Sequence, residues 1–244
     1  MRGAVLLVHG FTGSPFEVRY LGERLAARGF RAVAPSLKGH ESRDPRGLDP
    51  TRWQDWVGSA SAALDALKAR HPHVAVIGMS LGGLIALHLA ATRGPEIAAV
   101  GSLGAPLWLP AYARVAVPIV ARLSHVLPRF AFVPKVGGSD VRDPEMKVKN
   151  LTMNAFPIHA LASLIAFQRI VRAELAQVTI PTFIAHGLLD RTAPFASLAE
   201  MERRIGARDL TVLELPRSGH VITIDYERER LADEVGRFLE ERIP

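Results

Sequence analysis

Short apolar runs alternate with longer amphipathic runs along this 244-residue chain, and that alternation restricts the fold more than any other feature. The apolar runs are continuous, which is typical of strands buried on both faces of a parallel sheet. The amphipathic runs carry apolar residues at helical spacing. The sequence therefore predicts an α/β protein with a mostly parallel central sheet and helices on both faces. We predict about six strands, in the runs AVLLVHG, FRAVAPS, HVAVIG, IAAVGSLG, TFIAHG and LTVLEL.

The alternation breaks between residues 105 and 177, where an apolar stretch interrupted by prolines precedes a polar loop and a long helical run. A connection of this length is either a disordered insertion or a cap above one edge of the sheet. Its aromatic and branched residues favour a small helical cap. We predict a core of residues 1–104 and 178–244 and a cap insertion at 105–177, whose last helix, about 161–175, returns to the core.

Composition excludes several classes of function. The chain has no cysteine, which rules out disulfides, a thiolate nucleophile and cysteine-bound metal. Its net charge of +6 comes from scattered residues, which favours a solvated basic surface over nucleic-acid binding. No run of about 18 apolar residues is present to cross a membrane, and the first apolar run is too short for a secretory signal. We expect a cytoplasmic protein without stable membrane insertion, either a monomer or a weak homo-oligomer.

Ser80 lies in VIGMSLGGL, where a predicted strand gives way to a predicted helix. Glycines at Gly78 and Gly82 surround it in the pattern G-x-S-x-G, which is typical of a nucleophilic serine on a sharp turn. The alternative is a serine that only caps the following helix. The setting decides between them, because in open parallel sheets ligands bind at the carboxyl ends of the strands.

Three other predicted strands end in reactive residue types: HGFTG follows the first, HGLLD the fifth and RSGHVITID the sixth. We predict His220 as the general base and Asp190 as the acid that orients it, with Ser80 as nucleophile. Asp190 could instead cap the helix that begins near Pro194. Asp225 is a rival for the acid, but we expect it on a surface turn.

A developing oxyanion requires hydrogen-bond donors, and the strand ends favour the backbone amides of Phe11 and Leu81. We interpret His9 as a scaffold residue of the HGFTG loop. His71 and His73 have H-x-H spacing without a third ligand nearby, so we predict no metal and no cofactor.

The segments LLVHGFTGSPFEVRYLGERLAARGF, APSLKGH, GMSLGGL, HGLLDRTAP and RSGHVITID resemble the small bacterial carboxylesterases and monoacylglycerol lipases of the α/β-hydrolase superfamily. The resemblance covers nearly the whole chain outside the cap. It implies the α/β-hydrolase fold, the triad Ser80, Asp190 and His220, and oxyanion amides at Phe11 and Leu81. It departs at Glu41, where the family often has another glycine after KGH.

The resemblance is weakest in the cap, which largely sets the substrate in this superfamily. Apolar cap residues suit an acyl chain, although they would equally pack the cap onto the core. These residues are Trp108, Leu109, Tyr112, Ile119, Phe130 and Phe132. The segment after Pro106 lies nearest the serine turn by topology, so the predicted substrate-binding residues are Leu107, Trp108, Leu109 and Tyr112.

The leading hypothesis is a serine carboxylesterase for short- to medium-chain esters, with monoacylglycerols as one candidate class. A second hypothesis keeps the triad but changes the bond, to lactone, thioester, carbon–carbon or peracid chemistry. A third is a hydrolase fold that binds a ligand without catalysis. An Asp nucleophile, as epoxide hydrolysis and dehalogenation use, is disfavoured because Ser80 occupies that position.

Overall fold

The computed structural model describes residues 2–123, 131–135 and 137–243. Within these residues the central sheet has six strands: β1 (Ala4–Val8), β2 (Arg31–Val33), β3 (Val74–Met79), β4 (Ala99–Leu103), β7 (Thr182–Gly187) and β8 (Leu210–Leu215). They lie in the order β2-β1-β3-β4-β7-β8, and each is parallel to its neighbours. All six coincide with the predicted apolar runs, and the predicted fold class is confirmed.

Helices cover both faces of this sheet, because each presents an apolar side to it. One face carries α1 (Phe16–Ala27) and α9 (Arg228–Glu240), which also contact each other. The other carries α3 (Trp53–Lys68), α4 (Leu81–Arg93) and α8 (Ala196–Arg204). Helix α4 is buried on nearly every side, which explains why its sequence is apolar throughout. A short α2 (Pro45–Leu48) lies in the predicted polar loop after β2.

The connection between β4 and β7 holds several short elements and one long helix. They are α5 (Ala111–Leu123), β5 (Phe132–Pro134), α6 (Pro144–Lys149), β6 (Ala155–Pro157) and α7 (Ile158–Glu174), followed by a 3-10 turn at Leu175–Gln177. The antiparallel pair β5–β6 was not predicted, because three-residue strands leave no periodic pattern. Helix α7 packs on α4 and α5 and begins three residues before its predicted start. The division into core and cap remains a prediction.

The strand order turns at the neighbouring strands β1 and β3, since β2 lies outside β1 while β4 follows β3. Such a reversal opens a crevice at the carboxyl ends of the two strands. The loop after β1 and the turn after β3 both border that crevice, and the loops after β7 and β8 lie at the same edge of the sheet. The topology therefore brings all four predicted motifs to one edge.

Candidate active site

Ser80 occupies a strained turn between β3 and α4. Its backbone has φ 56° and ψ −114°, a conformation that residues other than glycine rarely adopt. Its amide donates to the Leu103 carbonyl at 2.8 Å, which fixes the turn to the adjacent strand. The serine side chain makes no capping hydrogen bond to the helix, so the capping alternative finds no support.

Two glycines make this turn sterically possible. A Cβ on Gly78 would lie 1.9 Å from the Gly82 carbonyl oxygen, and one on Gly82 would lie 2.1 Å from the Val8 oxygen. Strand β3, helix α4 and strand β1 therefore approach too closely for any side chain at these positions. The glycines of G-x-S-x-G are required by contact between backbones.

Ser80, His220 and Asp190 form a continuous hydrogen-bonded chain. The Ser80 Oγ lies 2.9 Å from His220 Nε2, and His220 Nδ1 lies 2.8 Å from Asp190 Oδ2. Ser80 and His220 are 9% and 7% exposed, and the Asp190 side chain is fully buried. This is the arrangement in which a base removes a hydroxyl proton while a carboxylate holds its other nitrogen.

Asp190 is held by more than His220. Its Oδ1 accepts the amides of Thr192 and Ala193 at 2.7 and 2.8 Å, so it also organises the turn before α8. The buried His186 places its Nε2 3.0 Å from Asp190 Oδ2. Asp190 therefore bonds to the backbone before α8, as the capping alternative predicts, and contacts His220 at the same time.

The charges of the site oppose the effect of burial. Burial alone would raise the pKa of Asp190, but the charge of His220 and the hydrogen bonds from His186 and His220 hold it well below its usual range. Burial alone would likewise lower the pKa of His220, yet Asp190 raises it above its ordinary value, with smaller contributions from Asp140 and Glu17. The arrangement favours an imidazolium next to a carboxylate.

The loop after β1 contains the predicted oxyanion amide of Phe11. Neither this amide nor that of Leu81 donates to an acceptor within the described part of the chain. Leu81 is the first residue of α4, where amides have no partner inside the helix and the helix dipole is positive. Both groups are available to a substrate oxygen.

Two neutral histidines support this loop. His9 accepts the Leu37 amide at Nε2 and contacts the Gly10 carbonyl through Nδ1. His40 Nε2 accepts the Thr12 amide at 3.2 Å. Burial lowers the pKa of His9, while burial and the neighbouring His9 lower the pKa of His40 to about 3. The scaffold role predicted for His9 agrees with these contacts.

Thr12 is the other residue besides Ser80 in the described ranges with a positive φ and a side chain, at φ 60°. A β-branched residue holds this conformation only when its surroundings enforce it. The Thr12 carbonyl accepts the Met153 amide at 3.0 Å, and Lys135 Nζ approaches its hydroxyl at 3.4 Å. Burial lowers the pKa of Lys135. Residues of the β4–β7 connection therefore help to shape the Phe11 loop.

Asp225 is not on a surface turn, and this prediction was wrong. Its carboxylate is fully buried and accepts four backbone amides at 2.7–3.0 Å, among them that of Gly219 next to His220. A carboxylate that accepts several amides organises the chain around it. Asp225 makes no contact with His220 that would let it replace Asp190.

The four predicted substrate-binding residues differ in how far they are buried. Leu107 is fully buried in the core, whereas Tyr112 is 77% exposed on α5. Trp108 and Leu109 are half-buried, and the Arg172 guanidinium lies 5.9 Å from the centre of the Trp108 ring. Phe130 lies outside the described residues. Contact of any of these residues with substrate remains a prediction.

Glu17 is a functional candidate that sequence reasoning missed. It is buried in the first turn of α1, and its Oε2 accepts the Gly10 amide at 2.9 Å. A Cβ built on Gly10 would touch both Glu17 Oε2 and Ser80 Cβ, so the carboxylate lies close to Ser80. The signal was present, because Glu17, Leu21 and Leu25 share the buried face of α1 at intervals of four.

The described residues include neither a helix long and apolar enough to span a membrane nor a group of three His, Asp or Glu side chains that could ligate a metal ion.

Sequence comparison gives this arrangement a context. Residues 1–227 match the model of the family Hydrolase_4, described as serine aminopeptidase S33. The chain is 30% identical to a thermostable monoacylglycerol lipase of Bacillus sp. (strain H-257), over 94% of this chain and 87% of that one. It is 29% identical to a carboxylesterase of Bacillus subtilis (strain 168), over 97% of this chain and 92% of that one. The resemblance predicted from the motifs is confirmed.

Solved structures agree with the fold. One of the metagenome-derived lipolytic enzymes LipS and LipT superimposes with a TM-score of 0.88 and 26% identity, covering 99% of this chain and 96% of that one. The monoacylglycerol lipase of Paleococcus ferrophilus superimposes with a TM-score of 0.82 at 20% identity, over 98% and 95% of the two chains.

Proposed function

The chain belongs to the Hydrolase_4 family, and from that premise we propose that it is a carboxylic ester hydrolase that works through an acyl-enzyme on Ser80. The single observation that carries the proposal is the chain of contacts from Ser80 Oγ through His220 to Asp190 at 2.9 and 2.8 Å. The curated relatives named monoacylglycerol lipase and carboxylesterase support an ester as the bond that is cleaved.

In the proposed reaction His220 Nε2 takes the proton of the Ser80 hydroxyl as the oxygen attacks the ester carbonyl. The carbonyl oxygen becomes negative in the tetrahedral intermediate and accepts the amides of Phe11 and Leu81. His220 then gives its proton to the departing alkoxide, which leaves as the alcohol. A water molecule then attacks the acyl-enzyme and gives a proton to the same nitrogen. His220 returns that proton to the Ser80 oxygen as the bond between this oxygen and the acyl carbon breaks and the carboxylic acid leaves.

Asp190 serves this cycle without changing its own protonation. It accepts a hydrogen bond from the Nδ1–H group of His220, so that Nε2 presents a lone pair to Ser80. Its charge also stabilises the imidazolium that forms in each half of the cycle. The low pKa of Asp190 keeps it ionised throughout.

For the acyl group we propose short- to medium-chain esters, with monoacylglycerols as a candidate class. The support is the half-buried Trp108 and Leu109, in the segment that follows the buried Leu107 after β4, together with the names of the relatives. We further propose a cytoplasmic location, which the cysteine-free composition suits, and a monomeric or weakly associating state.

A series of p-nitrophenyl esters of increasing acyl length tests the activity. We expect turnover by the wild type, no turnover by Ser80→Ala, and unchanged turnover by the control Ser42→Ala in an exposed loop. A fluorophosphonate should label Ser80 covalently. Labelling that persists in folded Ser80→Ala would identify a different nucleophile.

The same assay separates the competing functions. An aminoacyl p-nitroanilide tests amide cleavage, since the family description names an aminopeptidase. Faster cleavage of the anilide than of every ester would contradict the proposal. A protein that binds the esters without turning any over would be a ligand-binding module.

A further inference from the structure

Residues 140–143, which we call the anchor segment, lie between the two loops that carry Asp190 and His220. The backbone carbonyl of Asp140 accepts the amides of His220 and Val221 at 2.9 and 3.2 Å. The carboxylate of the same residue accepts the Arg191 amide at 2.7 Å, directly after Asp190. One residue of the β4–β7 connection therefore bonds to the loop of the base and to the loop of the acid.

The rest of the anchor segment repeats this bridge. The Arg142 guanidinium donates to the Leu189 carbonyl, in the loop of Asp190. The backbone amides of Arg142 and Asp143 donate to Asp225, which also accepts the Gly219 amide in the loop of His220. Two sets of hydrogen bonds thus join the same two loops, one through Asp140 and the other through Arg142 and Asp143.

The fit around Asp140 leaves no space for adjustment. A Cβ on Gly219 would lie 2.9 Å from the Asp140 carbonyl oxygen and 3.1 Å from its Oδ1. The Asp140 side chain is 17% exposed, and its ion pair with Arg142 is long, at 3.6 Å. The Arg191 amide, at 2.7 Å, is therefore the close polar contact of this carboxylate, whereas the backbone carbonyl of Asp140 holds the His220 loop.

We propose that Asp140 is a positioning residue for the hydrolysis: its carbonyl holds the His220 loop and its carboxylate holds the Asp190 loop, so that acid and base keep hydrogen-bonding distance. The inference rests on the proposed function, because it assigns no separate reaction to Asp140. The residue contacts neither Ser80 nor the imidazole ring, and its hydrogen bonds reach them only through the two loops.

Asp140 also acts on His220 through its charge. The negative groups that affect the imidazole are Asp190 in the loop after β7, Asp140 in the anchor segment and Glu17 in α1, and each raises the pKa of His220. Removing the charge at Asp140 should lower the pKa of His220 and move the acid side of the pH–rate profile to lower pH. A merely structural residue would not produce that displacement.

Two substitutions separate position from charge. Asp140→Asn keeps the size and an oxygen that accepts the Arg191 amide, but removes the charge. Asp140→Ala removes both the charge and the side-chain oxygen that accepts the Arg191 amide. Glu145→Gln is the matched control. It makes the same charge change five residues after Asp140, on a side chain that is 72% exposed.

We expect Asp140→Asn to shift the acid side of the kcat/KM profile to lower pH with a small loss of kcat. For Asp140→Ala we expect the same shift and a kcat lower by about tenfold to a hundredfold, with KM nearly unchanged, because misplaced catalytic groups affect the transition state. Glu145→Gln should behave as the wild type. Thermal unfolding checks that each variant is folded, and the Asn variant decides alone if the Ala variant does not fold.

An unmoved pH profile in Asp140→Asn, or a folded Asp140→Ala with kcat within about twofold of the wild type, would overturn the inference. The proposed function fails separately, if Ser80→Ala retains turnover. An inactive Ser80→Ala beside wild-type behaviour of both Asp140 variants would refute only the role of Asp140.

Discussion

His186 Nε2 lies 3.0 Å from Asp190 Oδ2, the oxygen that also faces His220 Nδ1. The two histidines therefore approach one carboxylate oxygen, and His186 is buried with its Nδ1 lacking a partner in the described part of the chain. Its Nε2 contacts Asp190 and, at 3.3 Å, the Ala193 carbonyl. These polar contacts explain why a histidine occupies this buried position.

We predict that His186→Leu lowers kcat about tenfold with little change in KM. The substitution removes the hydrogen bond that His186 makes to the ionised Asp190. A hydrogen bond to a charged group typically contributes about 1.5–3 kcal/mol of net interaction free energy. The control is His88→Leu, which removes another histidine–carboxylate pair, to Glu174, away from the triad. Steady-state kinetics on one ester should show the loss in the first variant and not in the second.

The activity should fall on the acid side of a midpoint above the ordinary imidazole value of 6.5. The sign follows from the mechanism: neutral His220 accepts the serine proton, and its pKa is raised, so the base is already lost at a pH where free imidazole would still be half neutral. A kcat/KM profile on an ester that does not itself titrate measures this midpoint. A midpoint below 6.5 would contradict the charge arrangement.

The serine turn should not tolerate a methyl group at Gly78. Gly78→Ala would place Cβ against the Gly82 backbone, and we predict a loss of unfolding free energy above about 3 kcal/mol. Gly58→Ala is the control, since a Cβ there meets nothing within 4 Å on an exposed turn of α3. We expect it to stabilise the helix by about 0.5–1 kcal/mol. Urea unfolding of both variants measures the contrast.

Asp225→Ala should destabilise the protein by about 3 kcal/mol or more, because it leaves four buried or partly buried amides without their acceptor. Asp65→Ala, on a side chain that is 60% exposed and pairs with Arg93, should change stability by less than about 1 kcal/mol. Comparable losses in the two variants would show that Asp225 is not a buried organising group.

The fold and the class of reaction were accessible from sequence because each depends on a local signal. Continuous apolar runs mark buried strands, and both the α/β-hydrolase fold and the ester-hydrolase class are confirmed. The triad remains a proposal, but its residues were found from the order of strand ends. Nothing in the sequence around Asp225 distinguishes a buried carboxylate from an exposed one, since its partners at Arg142 and Asp143 are distant in the chain.

The contacts of Asp140 were inaccessible for the same reason. They join residues separated by about 50 and 80 positions, through backbone amides that carry no residue-specific signal. Glu17 was different, because a charge at a buried helical position is visible in the sequence. The short strands β5 and β6 were also not visible in the sequence. Their pairing depends on the residues packed around them rather than on their own composition.

The bridge made by residues 140–143 has a consequence for exchanging segments among relatives. A chimera that replaces the whole β4–β7 connection would exchange the predicted cap and, at the same time, the hydrogen bonds to the loops of Asp190 and His220. Donor segments that lack a matching carbonyl and carboxylate at this point should yield folded but slow enzymes, whatever acyl group they admit. Grafts that begin after β4 and stop before residue 139 would exchange the predicted substrate-binding residues while keeping the hydrogen bonds that residues 140–143 make to the two loops.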